Sequence, residues 1–154
     1  MSAVNWIAHR AAVLLTIVWI VVFALEITAP IMVEICPVGA GLIYSVLKPL
    51  CHQKAERSFH IAGHKMGLCT RCTGVFGGLT VFGIFSIIFR WKKGLTHWWM
   101  LILLAPLAVD GIGQTAGLWN TGNIARFITG LVAAFGIVFW LYPIIFEMEK
   151  DTEL

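Results

Sequence analysis

The sequence predicts an all-α fold, a polytopic membrane helix bundle of four transmembrane helices plus a short re-entrant or interfacial helix. Of its 154 residues, 59% are apolar without counting glycine, and only 12% are charged. Soluble domains have about 45–50% apolar residues, glycine included, and about 25% charged residues. Four long apolar stretches supply the second observation, because lipid leaves the backbone of such a stretch little alternative to a helix.

Length and charge exclude several other classes. A chain of 154 residues has room for one domain, so residues 1–154 are expected to form a single membrane domain in contact with the lipid bilayer. A small soluble domain has too much surface for so few charges, and the same composition excludes a disordered chain. The formal net charge of +3 gives no support for a nucleic-acid partner.

The four apolar stretches comprise residues 11–33, 73–89, 98–118 and 127–146. Each reaches the ~17 residues that a helix needs to cross a hydrocarbon core of about 30 Å. The first stretch resembles a signal peptide up to Leu25, but the apolar run continues past Glu26 and only Arg10 precedes it closely. We therefore expect it to be retained as a helix.

The segment between the first two stretches has two parts. Residues 37–50 are apolar, contain two glycines and end at Lys48-Pro49, which is too short to span and favours a re-entrant or interfacial helix. Residues 51–72 form the only long polar stretch, a motif-bearing loop.

Orientation is weakly encoded. Four helices place both termini on one side of the membrane, with five basic residues there and six on the other side, so the positive-inside rule does not decide. The compact turn Arg90-Trp91-Lys92-Lys93 favours cytoplasmic termini in the cell membrane. A homo-oligomer or a subunit of a larger membrane complex is compatible with this arrangement.

The motif loop concentrates the metal-binding side chains. Three of the four cysteines and three of the five histidines lie within residues 51–72. Cys69 and Cys72 form a CxxC pair, which holds two thiolates as tetrahedral zinc requires. The sequence predicts a site for zinc, or another transition metal, with Cys51 as third ligand and His64 or His52 as fourth, and with Cys36 outside it. If residues 60–64 are helical, His60 and His64 share a face.

Two other classes compete with the metal site. CxxC is also typical of thiol–disulfide oxidoreductases coupled to quinone, and Arg71 and the helix start after Cys72 would both lower a thiol pKa. Cys36 and Cys51 would then form a shuttle pair, and the histidines would be unexplained. The third class is a non-enzymatic subunit or carrier that moves a metal or a proton along Asp110 and Glu26.

A second polar group lies in the third and fourth stretches. Asp110 is deep in its helix, where an ionisable group is costly and is expected to face the bundle interior with a partner. Gln114 is four residues on, and Arg126 lies one position before the fourth apolar run. We predict that Asp110 and Arg126 are coupled directly, through Gln114 or through water. The competing interpretations are a purely structural polar pair and an arginine that snorkels to the interface.

Topology brings these groups to one face of the membrane. The loop 51–72 and the turn 119–126 necessarily lie on the same side, and Glu26 and Asp110 occupy the halves of their helices nearest that side. We therefore predict a functional site for a lipid-derived or membrane-embedded substrate. Its candidate catalytic residues are Asp110, Gln114, Arg126 and Glu56, of which Asp110 or Glu56 would act as a base on metal-bound water. Arg57 and Asn123 are candidate ligand-binding residues, and Arg57 would read an anionic group together with Arg126.

Glycines are expected to mediate helix packing. Gly74 and Gly78 on the second helix, and Gly113 and Gly117 on the third, are spaced as small-xxx-small faces. Such faces let helices approach closely in lipid, so we expect all four glycines at helix contacts.

The motifs together resemble one family, a group of small bacterial and archaeal multi-pass membrane proteins catalogued as a domain of unknown function. The resemblance covers residues 50 to about 135 and implies a helical membrane fold in which these positions matter, without implying an activity. The family usually has serine where this chain has Asn120-Thr121-Gly122. The motifs that carry it are Cys51-His52-Gln53, Glu56-Arg57-Ser58-Phe59, Gly63, Cys69-Thr70-Arg71-Cys72-Thr73-Gly74, Asp110-Gly111 with Gln114, and Thr121, Asn123, Arg126 and Thr129-Gly130.

Overall fold

The computed structural model of the protein describes residues 3–91 and 93–147. Four helices are long and apolar enough to cross a membrane, and the expected all-α polytopic bundle is confirmed. Lys92, in the turn used above for orientation, lies outside the described residues. The helices are α1 (Ala3–Ile35), α2 (Pro37–Leu47), α3 (Thr70–Phe89), α4 (His97–Thr115) and α5 (Asn123–Glu147), with strands β1 (His60–Ile61) and β2 (His64–Lys65) and a single 3-10 turn at Ala55–Arg57.

α3 and α5 form the closely packed centre of the bundle. A Cβ added to Gly74 would collide with the backbone carbonyl of Phe127, and one added to Gly78 would lie 2.6 Å from the Cβ of Ala134. Both contacts are with α5, so the predicted glycine face of the second spanning helix is confirmed. α1 joins this core through a 2.7 Å hydrogen bond between the Thr16 and Tyr142 hydroxyls.

The glycine face predicted for the third spanning helix is wrong. α4 ends at Thr115, and Gly117 follows in the left-handed region with φ +72°. The N–H of Leu118 donates to the Gly113 carbonyl at 2.9 Å, the Schellman pattern in which a glycine after the helix captures its last free carbonyls. Gly113 instead accommodates the indole ring of Trp119, which folds back from the same turn.

Prolines inside α1 and α5 leave backbone carbonyls that bind the N–H groups of loops. Proline has no N–H, so the carbonyl four residues earlier lacks its helical partner. Pro30 in α1 leaves the Glu26 carbonyl free, which accepts the N–H of Gly67 at 3.0 Å. Pro143 in α5 leaves the Phe139 carbonyl free, which accepts the N–H of Leu95 at 2.9 Å. A carbonyl without a helical partner therefore binds the loop before α3 in one case and the loop after α3 in the other.

α2 lies against the bundle without spanning it, as predicted from its length. Ala40 and Leu47 are buried, whereas Val38, Leu42 and Val46 are exposed, as expected of a helix whose outer face meets lipid. Leu47 packs with Cys51, Leu68 and Cys69 in one apolar cluster. Both ends of the motif loop therefore pack against the C-terminal end of α2.

The histidines at 60 and 64 lie in a β-hairpin, so the helical face considered for them does not form. His60 pairs with Lys65 and Ile61 with His64 in antiparallel register. The turn residues Ala62 and Gly63 both have positive φ, +52° and +81°, the conformation that a tight two-residue hairpin turn requires. The hairpin directs the His64 Nε2 atom to Glu34 Oε1 at the end of α1, 3.6 Å away.

Candidate metal centre and polar network

Three thiols meet where the motif loop reaches α3. The Sγ atoms of Cys51, Cys69 and Cys72 all lie within 4.8 Å of one another, and those of Cys69 and Cys72 are 3.5 Å apart. Zinc–sulfur bonds of 2.3 Å in a tetrahedron place sulfurs about 3.8 Å apart. All three cysteines are free thiols, and Cys51 and Cys69 are buried. The cluster therefore has the spacing and the shelter of a thiolate metal site.

Backbone geometry explains why these thiols converge. Cys69 caps the N-terminus of α3, and Cys72 lies in the first turn of that helix. Cys51 follows α2, and its Sγ accepts N–H groups from Cys69 at 3.3 Å and Gln53 at 3.5 Å. The neighbouring thiols of Cys69 and Cys72, followed by these N–H groups, lower the pKa of Cys51. The Cys51 thiol is therefore more acidic than that of an isolated cysteine.

Of the two histidines predicted as fourth ligand, His52 lies nearer to the thiols. Its Nδ1 atom is 3.7 Å from Cys51 Sγ, whereas His64 faces Glu34. Among the described residues, the group whose ligand atoms are all mutually close contains only the three cysteines. Cys36 is exposed at the start of α2, and the whole of α2 separates it from Cys51.

Asp110 is the centre of a buried polar network. Its side chain is 8% exposed, and its Oδ2 atom forms an ion pair with Arg71. The Oδ1 atom accepts hydrogen bonds from Gln114 Nε2 at 2.8 Å and Thr121 Oγ1 at 2.6 Å. Sequence reasoning missed Arg71 as the partner, because it considered only the arginine on the neighbouring helix in the chain.

Arg126 is buried and turned inward. The residue is 4% exposed, and its Nε–H donates to Gln114 Oε1 at 3.0 Å. Its terminal nitrogens donate to the amide oxygens of Asn123 and Asn120. The expected link to Asp110 thus exists through the two ends of the Gln114 amide, and the snorkelling interpretation is wrong for this side chain.

Two cavities flank the network. One of about 310 Å³ is lined by Arg126, Asn123 and their turn together with Glu56 and Arg57. The other, about 730 Å³, is lined by Arg71, His52 and the end of α4. Arg71 also lies between Cys69 and Cys72 in the sequence, next to Thr70, so a single side chain connects the CxxC motif to the Asp110 network. The structure thus brings the predicted site residues to one end of the bundle, although His64 contacts Glu34 rather than the thiols.

Glu26 adds a carboxyl group beside the thiols. It is fully buried in α1 and lies near Thr73 and Cys69. Neither carboxyl oxygen has a hydrogen-bond partner among the described residues. A Cβ on Gly67 would lie 2.9 Å from the Glu26 Cα, so the motif loop packs directly on this part of α1.

Comparison with known proteins covers the same region. Residues 51–140 match the model of a family described as predicted membrane protein (DUF2085). An uncharacterized protein of Methanocaldococcus jannaschii is 45% identical over 112 residues, which is 69% of this chain and 70% of that protein. An uncharacterized protein of Methanothermobacter thermautotrophicus is 35% identical over 89 residues, 57% of this chain and 80% of that protein. No solved structure matches. The matched family range contains all three clustered cysteines, Asp110 and Arg126.

Proposed function

This chain belongs to the DUF2085 family of predicted membrane proteins, and we propose that it is a membrane-embedded zinc protein whose metal is held by Cys51, Cys69 and Cys72. Thiolates are soft ligands that select zinc, copper(I) or iron–sulfur clusters. A closed set of three cysteines and one histidine is a structural zinc site.

The observation that carries the proposal is the mutual approach of the three Sγ atoms within 4.8 Å. They come from two chain segments, one after α2 and one at the start of α3. A buried thiol that binds no ligand is expected to lie among apolar side chains, whereas each of these thiols lies beside two others. Two backbone N–H groups directed at Cys51 Sγ also stabilise the negative charge that a metal ligand carries.

His52 is the proposed fourth ligand, and its ring would have to turn toward Cys69 and Cys72, because among the described residues only the three cysteines have ligand atoms that all lie within 4.8 Å of one another. Bonds of 2.0–2.1 Å to nitrogen and 2.3 Å to sulfur place the two ligand atoms about 3.6 Å apart in a tetrahedron. The His52 Nδ1 atom lies 3.7 Å from Cys51 Sγ. With His52 bound, the ion ties the motif loop to α3. With water in its place, the ion would be open and able to activate that water, with Glu56 or Asp110 as the base.

Metal analysis of the purified protein with a parallel thiol count tests the proposal. We expect about one zinc per chain, with the three clustered thiols protected until a chelator is added. Cys69→Ser should lose the metal, while Cys36→Ser, the matched control at the exposed cysteine, should retain it. His52→Ala should weaken zinc binding by about 10- to 100-fold, an effect size comparable to loss of a supporting ligand interaction. Metal-free protein with wild-type fold would overturn the proposal.

A dithiol oxidoreductase is the second candidate, favoured by the 3.5 Å between Cys69 Sγ and Cys72 Sγ. Oxidation to a disulfide would release two electrons and two protons to a quinone. The aromatic cavity lined by Phe85, Trp91, Phe135 and Phe139 suits a flat ring, but Phe85 is about 20 Å along α3 from Cys72 at 1.5 Å per residue. Direct electron transfer from the Cys69–Cys72 pair to a quinone in this cavity is therefore excluded. The metal site remains the better proposal. A metal-free protein with a reversible Cys69–Cys72 bridge would favour this candidate.

A further inference from the structure

We propose that the cavity between Arg57 and Arg126 binds the phosphate group of a singly charged ligand. The cavity opens at the N-terminal end of the spanning helix α5, next to the motif loop. None of the residues that line it is a proposed zinc ligand, so the inference goes beyond the metal site and does not rest on it.

The charge of the cavity is only partly compensated by the protein. Arg71 is paired with Asp110, but neither Arg57 nor Arg126 forms an ion pair with any residue in the ranges 3–91 and 93–147. The hydrogen-bond acceptors around Arg126 are neutral amide oxygens. The guanidinium groups of Arg57 and Arg71 repel it, and Asp110, which attracts it, is already paired with Arg71. A buried charge of this kind is costly unless an opposite charge is supplied. An anion in the cavity would supply it.

The donors available there suit a phosphate. A guanidinium has five N–H donors in a planar fork that matches phosphate oxygens. The named side-chain contacts of Arg126 use three of them. The first-turn N–H groups of α5 lack partners within the helix, and its dipole favours an anion at this end.

Charge and size narrow the ligand class. Two arginines and Glu56 give the lining a formal charge of +1, which one negative charge balances. The volume of about 310 Å³ is near the lower limit of small-molecule sites, enough for a phosphate with a small headgroup but not for acyl chains. A lipid phosphodiester and the monoanion of inorganic phosphate share this chemistry.

Binding measurements on the full chain in a neutral detergent separate the two sources. The probes are inorganic phosphate and a short-chain phosphatidylglycerol, each titrated by calorimetry. Saturable binding of inorganic phosphate identifies a phosphate site, and binding of the lipid alone identifies a headgroup site. If neither probe binds the wild-type protein, the proposal is wrong.

Arg57→Gln provides the specific test, because Arg57 is only partly buried and its loss need not disturb the bundle. We expect at least about tenfold weaker binding, the effect of removing a charged hydrogen-bond donor. Lys54→Gln removes the same charge from an exposed position of the same loop, and should change affinity by less than about twofold. Equal affinities for Arg57→Gln and wild type would overturn the proposal. Zinc content should be unchanged in both variants, which separates this result from failure of the metal site.

Discussion

Arg71 and Asp110 form an ion pair between α3 and α4, and this contact joins the thiol cluster to the buried polar network. Arg71 stands between the two cysteines of the CxxC pair, and Asp110 lies in the interior of a spanning helix. A buried acid of a spanning helix is therefore compensated by a residue of the CxxC motif.

Removing either member of this pair should strongly destabilise the fold. Arg71→Gln and Asp110→Asn should each lower the free energy of unfolding by about 3–5 kcal/mol, because each leaves the other charge buried and unpaired. The double variant should cost clearly less than the sum. Denaturant unfolding in detergent measures all four proteins, and strictly additive losses would show that the two residues are independent.

The link between Asp110 and Arg126 should be real but weaker, because it runs through the Gln114 amide. A double-mutant cycle with Asp110→Asn and Arg126→Gln should give a coupling energy of about 0.5–1.5 kcal/mol, near the low end for residues sharing a network. In a Gln114→Met background this coupling should vanish. Coupling that survives the loss of Gln114 would indicate a path through water instead.

Zinc binding should release about two protons per ion at pH 7. Each thiol that binds as a thiolate loses its proton, but the lowered pKa of Cys51 predicts that this thiol is ionised before the metal binds. Calorimetry in buffers of different protonation enthalpy gives the number. Release of three protons would show that Cys51 is an ordinary thiol in the metal-free protein.

The close approach of the motif loop to α1 should make Gly67 intolerant of substitution. In Gly67→Ala the new Cβ would lie 2.6 Å from Leu47 Cδ1 and 2.9 Å from the Glu26 Cα, and such overpacking costs about 1–3 kcal/mol. Gly41→Ala is the matched control, because nothing lies within 4 Å of its Cβ. It should be neutral or stabilising by up to about 1 kcal/mol. Equal melting temperatures for Gly67→Ala and Gly41→Ala would show that the motif loop does not pack closely on α1.

The spanning helices could be predicted from the sequence because the thickness of the bilayer alone sets the requirement for about 20 consecutive apolar residues. The sequence placed the second one at residue 73, whereas α3 begins at Thr70, because a polar first turn carries no hydropathy signal. It ended the third at residue 118, since the chain stays apolar beyond the point where Gly117 reverses it.

Side-chain partners were harder to predict than elements. The meeting of Cys51 with the CxxC pair followed from residue type and spacing, and the structure agrees. The Arg71–Asp110 pair depends on how α3 and α4 are rotated against each other, which no local pattern specifies. The His60–Lys65 hairpin was missed because its turn begins with Ala62, a residue that rarely adopts positive φ.

The Glu26 and Phe139 carbonyls, which proline leaves without a helical partner, have a consequence for the order in which the chain is assembled in the bilayer. The acceptor at Glu26 is synthesised about forty residues before its donor, Gly67, so α1 enters lipid with a backbone group that its own helix does not satisfy. For Phe139 the order is reversed, because Leu95 is already in place when α5 arrives. We expect the N-terminal half to complete its membrane insertion only after the motif loop has been synthesised. In contrast, α5 can pack against the other helices as soon as it has been synthesised.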